Sequence, residues 1–324
     1  VPRRFNGYIA SNWQVLSYSG IVGSHEHFVA GITDEPDDLA RPAAESLNQQ
    51  NDGHVDKQTD ALVSNFRFEF PRGANAGSCL HYMLEHLDFK TPVAEQSDVI
   101  EFALQRYGLS AETLLHGTIE WMQDILDTKI NISANSNEKM SNGAATNNNA
   151  WRLIDIGAEQ RLDEMEFHIN FAALNSQLIG NALRKCSFDA RQLNHQVLDQ
   201  VDLKGLLKGF IDLMVTINGR YYVIDYKSNY LGDDLQDSDD TSLTNAMTDH
   251  NYHLQLIIYS YALHKWLSAI KPDYNYEKDI GGGIYLFLRG MSQQLENTGV
   301  YNYKVPFEVI DELDNALLGG EINA

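Results

Sequence analysis

Apolar residues recur along this chain at two different periods, and the switch between them predicts the order of its elements. After Phe70-Pro71-Arg72-Gly73, the apolar positions 80, 83, 84 and 87 fall at helical spacing and predict an amphipathic helix over 78–87. A longer helical region is expected from about Ser97 to Leu126. From Asp163 to Phe171 the period drops to two: Met165, Phe167, Ile169 and Phe171 alternate with Glu164, Glu166 and His168, the pattern of a half-buried strand. Lys208–Ile217 and Arg220–Lys227 are rich in β-branched and aromatic residues and flank Asn218-Gly219. That dipeptide predicts a hairpin, because a type I′ turn needs positive φ at both central residues. Acidic Asp233–Asp240 reads as a loop, Tyr252–Leu267 as a long helix, and Ile284–Leu288, after Gly281-Gly282-Gly283, as a buried strand. The order helix, strand, strand, strand, helix, strand predicts an α/β or α+β layered core.

The hairpin carries the first candidate chemistry. With Asn218-Gly219 as the turn, Asp212 falls directly opposite Asp225, their Cβ atoms roughly 5 Å apart on one face. Lys227, two residues on, points to the same face. Facing acids destabilise a sheet unless something cationic lies between them, so two acids and a lysine on one face look like a divalent-metal site. Their hard oxygen ligands suit Mg²⁺. On this reading, loss of Asp225 or Lys227 is expected to abolish the chemistry with little loss of folding.

Composition narrows the setting. The 324 residues are 43% hydrophobic, enough for a packed core, with no apolar run of membrane-spanning length. Cys79 and Cys186 are too few for a disulfide framework, which points to a reducing cytoplasm. The start, Val-Pro-Arg-Arg-Phe, has neither an initiator Met nor a signal-peptide core, and a piece of a longer chain is expected. Thr33–Asp60 and the Asn/Ser/Ala-rich stretch Asn131–Ala150 read as linker and low-complexity insertion. The expected organisation is an N-terminal arm and linker over 1–65, then one domain over 66–324 with that insertion near 131–150.

Charge argues the other way. Asp and Glu total 45 against 24 Lys and Arg, a net −21, whereas proteins that bind nucleic acid usually neutralise phosphates. An acidic soluble surface is the simpler account, and any basic path has to be local, with Arg72, Lys204, Lys208 and Lys227 as its candidates. Other chemistries lack their motifs: no GxxxxGK[ST], HExxH, GxSxG or zinc-spaced Cys/His cluster occurs. His81 and Glu85 share a helix face, as do Gln255 and Tyr259.

These residues carry a resemblance. Trp13-Gln-Val-Leu-Ser-Tyr-Ser-Gly20, Phe70-Pro-Arg-Gly-Ala74 with Cys79-Leu-His81, Glu164-Met-Glu-Phe167, Leu207-Lys-Gly-Phe-Ile-Asp-Leu213, Asp225-Tyr-Lys-Ser-Asn229, Tyr252-His-Leu-Gln255 with Tyr259, and Ile284-Tyr-Leu-Phe-Leu-Arg-Gly290 resemble the C-terminal nuclease domains of the RecB family. Those are PD-(D/E)XK nucleases, the beta subunits of exodeoxyribonuclease V. The resemblance implies a restriction-endonuclease-like αβββαβ core with a mixed sheet flanked by helices. It implies metal ligands at His81, Asp212, Asp225 and the Tyr226 backbone carbonyl, with Asp225 and Lys227 catalytic. Gln255 and Tyr259 match its QxxxY motif and are expected to contact DNA.

The resemblance further implies a Mg²⁺-dependent exodeoxyribonuclease, with Ca²⁺ a non-catalytic or inhibitory substitute, dependent on ATP only within an intact helicase–nuclease. Expected partners are single- and double-stranded DNA, the helicase part of the same chain, the RecC and RecD subunits and the RecA recombinase, with no membrane. Its role would be processing of double-strand-break ends in recombinational repair. The alternative is a non-catalytic module that docks RecA or a partner subunit, which has no use for Asp225 or Lys227.

Overall fold

The hairpin forms where Asn218-Gly219 places it: Asn218 and Gly219 have φ of 51° and 77°, the positive pair a type I′ turn requires. The computed structural model describes residues 13–22, 66–132, 150–188, 198, 204–296 and 298–317. From the N-terminus the elements are β1 (Trp13–Leu16), α1 (Tyr18–Val22), α2 (Ala74–His86), α3 (Ser97–Arg106), α4 (Ala111–Asp127), the short β2 (Ile130–Asn131) and β3 (Ala150–Trp151), and β4 (Arg161–Phe171). They continue with α5 (Ser176–Lys185), β5 (Lys204–Ile217), β6 (Arg220–Lys227), α6 (Asp240–Asp249), α7 (Tyr252–Ile270), α8 (Tyr276–Asp279), β7 (Ile280–Phe287), β8 (Val300–Tyr303) and α9 (Phe307–Leu317).

Six strands make one mixed sheet. β4 runs antiparallel along one edge of β5. β6 pairs antiparallel with the end of β5, and β1 pairs parallel with its beginning. β7 lies parallel to β6, and β8 closes antiparallel on β7. Each face carries its own core. Leu207, Ile211, Val223 and Tyr285 pack under α7 with Leu256, Leu263, Leu183 and Ile310. Leu213, Ile224 and Leu286 pack under α2, α3 and α4 with Leu80, Met83, Leu104, Trp121 and Ile125. The succession α2, β4, β5, β6, α7, β7 is the expected αβββαβ core, an α/β arrangement with helices on both faces.

Three elements differ from expectation. The helical region from Ser97 is two helices, because Gly108 takes φ 74° and the Leu109 N–H bonds back to the Leu104 carbonyl, a glycine-ended C-cap. The acidic loop ends as a helix start: the Asp239 carboxylate accepts from the Ser242 N–H and caps α6. The three glycines lie inside β7, where a Cβ on Gly281 would meet the Tyr222 ring at 2.1 Å. Residues 13–16, within the stretch read as an N-terminal arm, add a strand to the same sheet. Thr33–Asp60 and most of the low-complexity stretch lie outside the described residues, the latter bracketed by the Ile130–Trp151 and Asn131–Ala150 pairs of β2 and β3. Among the described residues no helix is long and apolar enough to cross a membrane, and Cys79 and Cys186 are free and buried.

Candidate active site

The backbone ladder of the hairpin stops one step short of the facing acids. Its last pair is Leu213–Ile224, and there the Asp212 carboxylate takes over, accepting the Tyr226 N–H at 2.8 Å. The expected register holds, and Asp212 replaces the next backbone bond with a charge-assisted one. β5 also changes face at this point: Leu207 and Ile211 pack under α7, whereas Leu213 and Val215 pack under α2. On the neighbouring strand β4 pairs with β5 at Asp163–Leu213 and Met165–Ile211 but not between them. The residue left between is Glu164, at φ 48°. A non-glycine residue held there costs on the order of 1–3 kcal/mol, and such strain gathers at functional sites. The irregular step thus sets Asp212 and Glu164 side by side.

Lys227 is fully buried and Asp225 is 3% exposed. Lys227 Nζ lies 2.6 Å from Asp225 Oδ2 and sits over the rings of Tyr252 at 3.9 Å and Tyr285 at 5.5 Å. Tyr285 stands beside Asp225 in the parallel register of β6 and β7. The Tyr252 hydroxyl donates to Asn229 Oδ1 at 3.1 Å, joining α7 to the chain just past Lys227. The lysine therefore occupies a box of two aromatic faces and one carboxylate. This burial corrects the expectation that removing Lys227 spares the fold, since removal leaves Asp225 charged and uncompensated in the interior.

His81 reaches the acids from the opposite face. It lies on the buried side of α2 with Leu80 and Leu84, its Nδ1 3.5 Å from Asp212 Oδ2 and its ring edge-on to Tyr226 at 5.8 Å. Burial opposes the Asp212 charge, but the charge and hydrogen bond of His81, the Tyr226 N–H and Lys227 outweigh it and hold the carboxyl below its usual range. Arg161 fixes the end of α2, donating to the Leu84, Glu85 and Leu87 carbonyls while paired with Asp163.

Glu164 is the residue whose importance the strand pattern understated. Although the residue reaches solvent, desolvation of its carboxyl, then the charges of Asp212 and Glu85, push its pKa up to about 7, with His81 opposing. Glu166, its partner in the alternating pattern, instead points to the surface and pairs with Lys208 at 2.7 Å. The candidate basic path is also altered. Lys208 is held by Glu166, Lys227 is buried on Asp225, and Arg72 stacks over the Tyr230 ring at 3.2 Å.

Gln255 and Tyr259 are 2% and 3% exposed, and Gln255 Nε2 donates to the Tyr259 hydroxyl at 3.0 Å. Burial first, then the charges of Asp225 and Asp212, raise the Tyr259 phenol well above its usual value. The pair thus forms the inner wall behind the acids rather than an open surface. The Gln255 amide oxygen and the Tyr285 hydroxyl are buried there with no hydrogen-bond partner.

As they stand, no three His, Cys, Asp or Glu side chains among the described residues converge on a metal position. Asp225 is turned to Lys227 and Asp212 to the Tyr226 N–H. The donor set nevertheless fits a hard divalent cation: two carboxylates, an imidazole and a third carboxyl, Glu164, whose pKa is raised first by desolvation and then by the neighbouring Asp212 and Glu85 charges.

Comparison with known proteins identifies the family. The chain is 30% identical to the RecBCD enzyme subunit RecB of Escherichia coli (strain K12) over 310 residues, 95% of this chain and 23% of that protein. With the Haemophilus influenzae RecB subunit the identity is 29% over 323 residues, 96% of this chain and 24% of the relative. With that of Mycobacterium tuberculosis (strain ATCC 25618 / H37Rv) it is 27% over 354 residues, 99% and 30%. The chain spans about a quarter to a third of the length of these relatives. A profile of the PD-(D/E)XK nuclease superfamily matches residues 62–294, which include His81, Asp212, Asp225 and Lys227. The chain belongs to the PD-(D/E)XK nuclease superfamily.

Proposed function

We propose that this chain is a Mg²⁺-dependent DNA nuclease domain, an exodeoxyribonuclease that hydrolyses phosphodiesters. The observation that carries the reading is the buried Asp225–Lys227 pair, set beside Asp212 where the hairpin ladder ends. Desolvating such a pair costs several kcal/mol, so it contributes little to stability that apolar residues would not supply better. A docking module for RecA or a partner subunit has no use for it.

His81, Asp212, Asp225 and the Tyr226 carbonyl would hold the cation, which when bound polarises a phosphate and lowers the pKa of a water. Asp225 must turn away from Lys227 to take part. Lys227, confined by Tyr252 and Tyr285, then directs its N–H donors to the attacking water and to charge developing on the phosphoryl oxygens. Gln255 and Tyr259, buried behind the acids, would meet DNA only from the inner wall of the site, where the buried amide oxygen of Gln255 lacks a hydrogen-bond partner.

The acidic chain attracts DNA poorly by its overall field. Within a longer protein organised like the RecBCD subunits, with residues 66–324 as the nuclease unit, a helicase portion would feed DNA to the site. Tethering over a short linker gives local concentrations on the order of millimolar. RecC, RecD and RecA are the partners in that setting, and processing of broken DNA ends for recombinational repair is the role.

Degradation of linear single- and double-stranded DNA in Mg²⁺, Ca²⁺ or EDTA tests this. The expected result is weak cleavage in Mg²⁺ alone, faster on single strands. Cleavage that persists in EDTA, or a folded chain inert in Mg²⁺, overturns it.

A further inference from the structure

One turn around α2 from His81, the surface carries aromatic and basic side chains interleaved. Tyr82 and His86, four residues apart on one helix face, stack at 3.8 Å with 19° between their planes. Tyr82 also lies 5.9 Å from Phe102 and 6.0 Å from Tyr107. The Arg106 guanidinium sits 5.1 Å from the Tyr82 ring and 5.8 Å from that of Tyr107. Phe102 is 51% exposed, Arg106 and His86 are exposed, and Tyr82 and Tyr107 are half-buried. Tyr82 and Tyr107 pack one side against the core under α2, which holds them in place and leaves Phe102, Arg106 and His86 to the solvent.

The patch adjoins the candidate site. Tyr82 follows His81 directly, and Glu85, whose Oε2 lies 3.6 Å from His86 Nδ1, is close enough to Glu164 to help raise its pKa. The five helical steps from His81 to His86 span about 7.5 Å, roughly two nucleotide steps at 3.4 Å each.

Resting on the nuclease reading, we infer that Tyr82, His86, Phe102, Arg106 and Tyr107 form a stacking platform for the bases of single-stranded DNA beside the scissile position. Every base offers a π face, so aromatic rings bind single strands without sequence preference, and Arg adds a cation–π contribution. In a duplex those faces are already stacked and out of reach. Stacking also accounts for how a chain of net charge −21 retains a strand, because it needs few phosphate contacts. With one or two cations engaged, log affinity falls with log salt at a slope of about −1, against −0.7 for each phosphate neutralised on a single strand. A protein partner is disfavoured by the closeness to the candidate site and by the Arg106 guanidinium beside the rings, which suits a polyanion.

Anisotropy of labelled dT12 and of a blunt 12-bp duplex, titrated with the full 324-residue chain in EDTA, tests the platform. Melting curves confirm that each variant is folded. Phe102→Ala is expected to weaken dT12 binding about 5- to 30-fold, from about 1–2 kcal/mol of base–aromatic stacking, and to leave duplex binding unchanged. Phe102→Trp restores dT12 binding, Arg106→Lys restores it only in part, and Ile270→Ala, exposed at the far end of α7, changes neither. In Mg²⁺ the Phe102→Ala loss falls on KM for single strands. Wild-type affinity in folded Phe102→Ala, an equal loss on duplex, or a salt slope steeper than about −3 overturns the platform while leaving the nuclease reading intact. A wild-type chain that neither binds nor cuts DNA removes both.

Discussion

Two buried charge clusters lie within this fold, and they are built on opposite terms. Around Arg289 every guanidinium nitrogen donates: Nε to the Ser228 carbonyl at 2.9 Å, one terminal nitrogen to Arg67 and Phe70 carbonyls at 2.6 and 3.0 Å, the other to Pro71 at 2.7 Å. Arg67 in turn meets Asp124 at 2.6 Å, and Asp124 also accepts from Ser292 and Gln293. The Asp212–Asp225–Lys227 cluster is not closed in this way. It gathers three carboxyls, raises one to about 7, leaves the Gln255 oxygen and Tyr285 hydroxyl unpartnered, and holds Glu164 at positive φ. Arg289, satisfied at every guanidinium nitrogen, fixes a loop, here the Phe70–Gly73 entry to the helix that bears His81, although Nε of the neighbouring Arg67 is buried without a partner. Surplus charge beside open polar groups and strain marks where the chain is arranged for something it does not itself contain.

The comparison breaks first at Arg289. Arg289→Met is expected to lower unfolding free energy by about 4 kcal/mol, since several buried carbonyls lose their donor at about 1–3 kcal/mol each. Urea denaturation measures it; a change under about 1 kcal/mol would mean that the node is not structural.

Lys227→Met alone should cost about 3 kcal/mol, because Asp225 is left buried and unpaired. Adding Asp225→Asn should recover most of that, which a double-mutant cycle reads directly. A further loss in the double variant would put Lys227 in the first category of charge rather than the second.

Divalent cation should act on one cluster and not the other. A ligand bound only by the folded state stabilises by RT ln(1 + [L]/Kd), about 2.7 kcal/mol at a hundredfold excess. Mg²⁺ or Ca²⁺ is expected to raise the melting temperature of wild type and to do so far less for Asp212→Asn. Equal shifts in both would move the cation elsewhere.

How much of this was legible in the sequence follows from the range of the forces involved. Asn218-Gly219 set the hairpin register as far as Leu213–Ile224, because a two-residue turn fixes pairing locally, whereas the change of face in β5 beside Asp212 left no local signal. The strand alternation marked β4 but made Glu164 and Glu166 equivalent. Only the unpaired step opposite Asp212, a contact between distant segments, separates the acid at the site from the acid on Lys208. β1, the glycines inside β7 and the Arg289 node depend on partners some 60 to 220 residues away, which no local period reports. Burial of Gln255 and Tyr259 was hidden for the same reason: a helix apolar on nearly every side shows no polar face to read.

The smallest effect is a pH dependence. A carboxyl raised to about 7 means that the folded chain holds a proton that the unfolded chain releases from about pH 4.5 upward. Stability therefore falls as pH climbs through that window. Glu164→Gln should flatten the fall in metal-free melts between pH 5 and 8, on the order of a few degrees at most for so accessible a group. An unchanged slope would remove Glu164 from the charge surplus.

The most direct measurement pairs folding with chemistry in one preparation: the Asp225→Asn/Lys227→Met variant, melted and then incubated with single-stranded DNA in Mg²⁺. The predicted result is a melting temperature within a few degrees of metal-free wild type and cleavage lower by at least about 10³-fold, the scale of a lost transition-state contact. A variant that folds and still cuts, or one that loses its fold together with its activity, would contradict the assignment of this buried pair to catalysis.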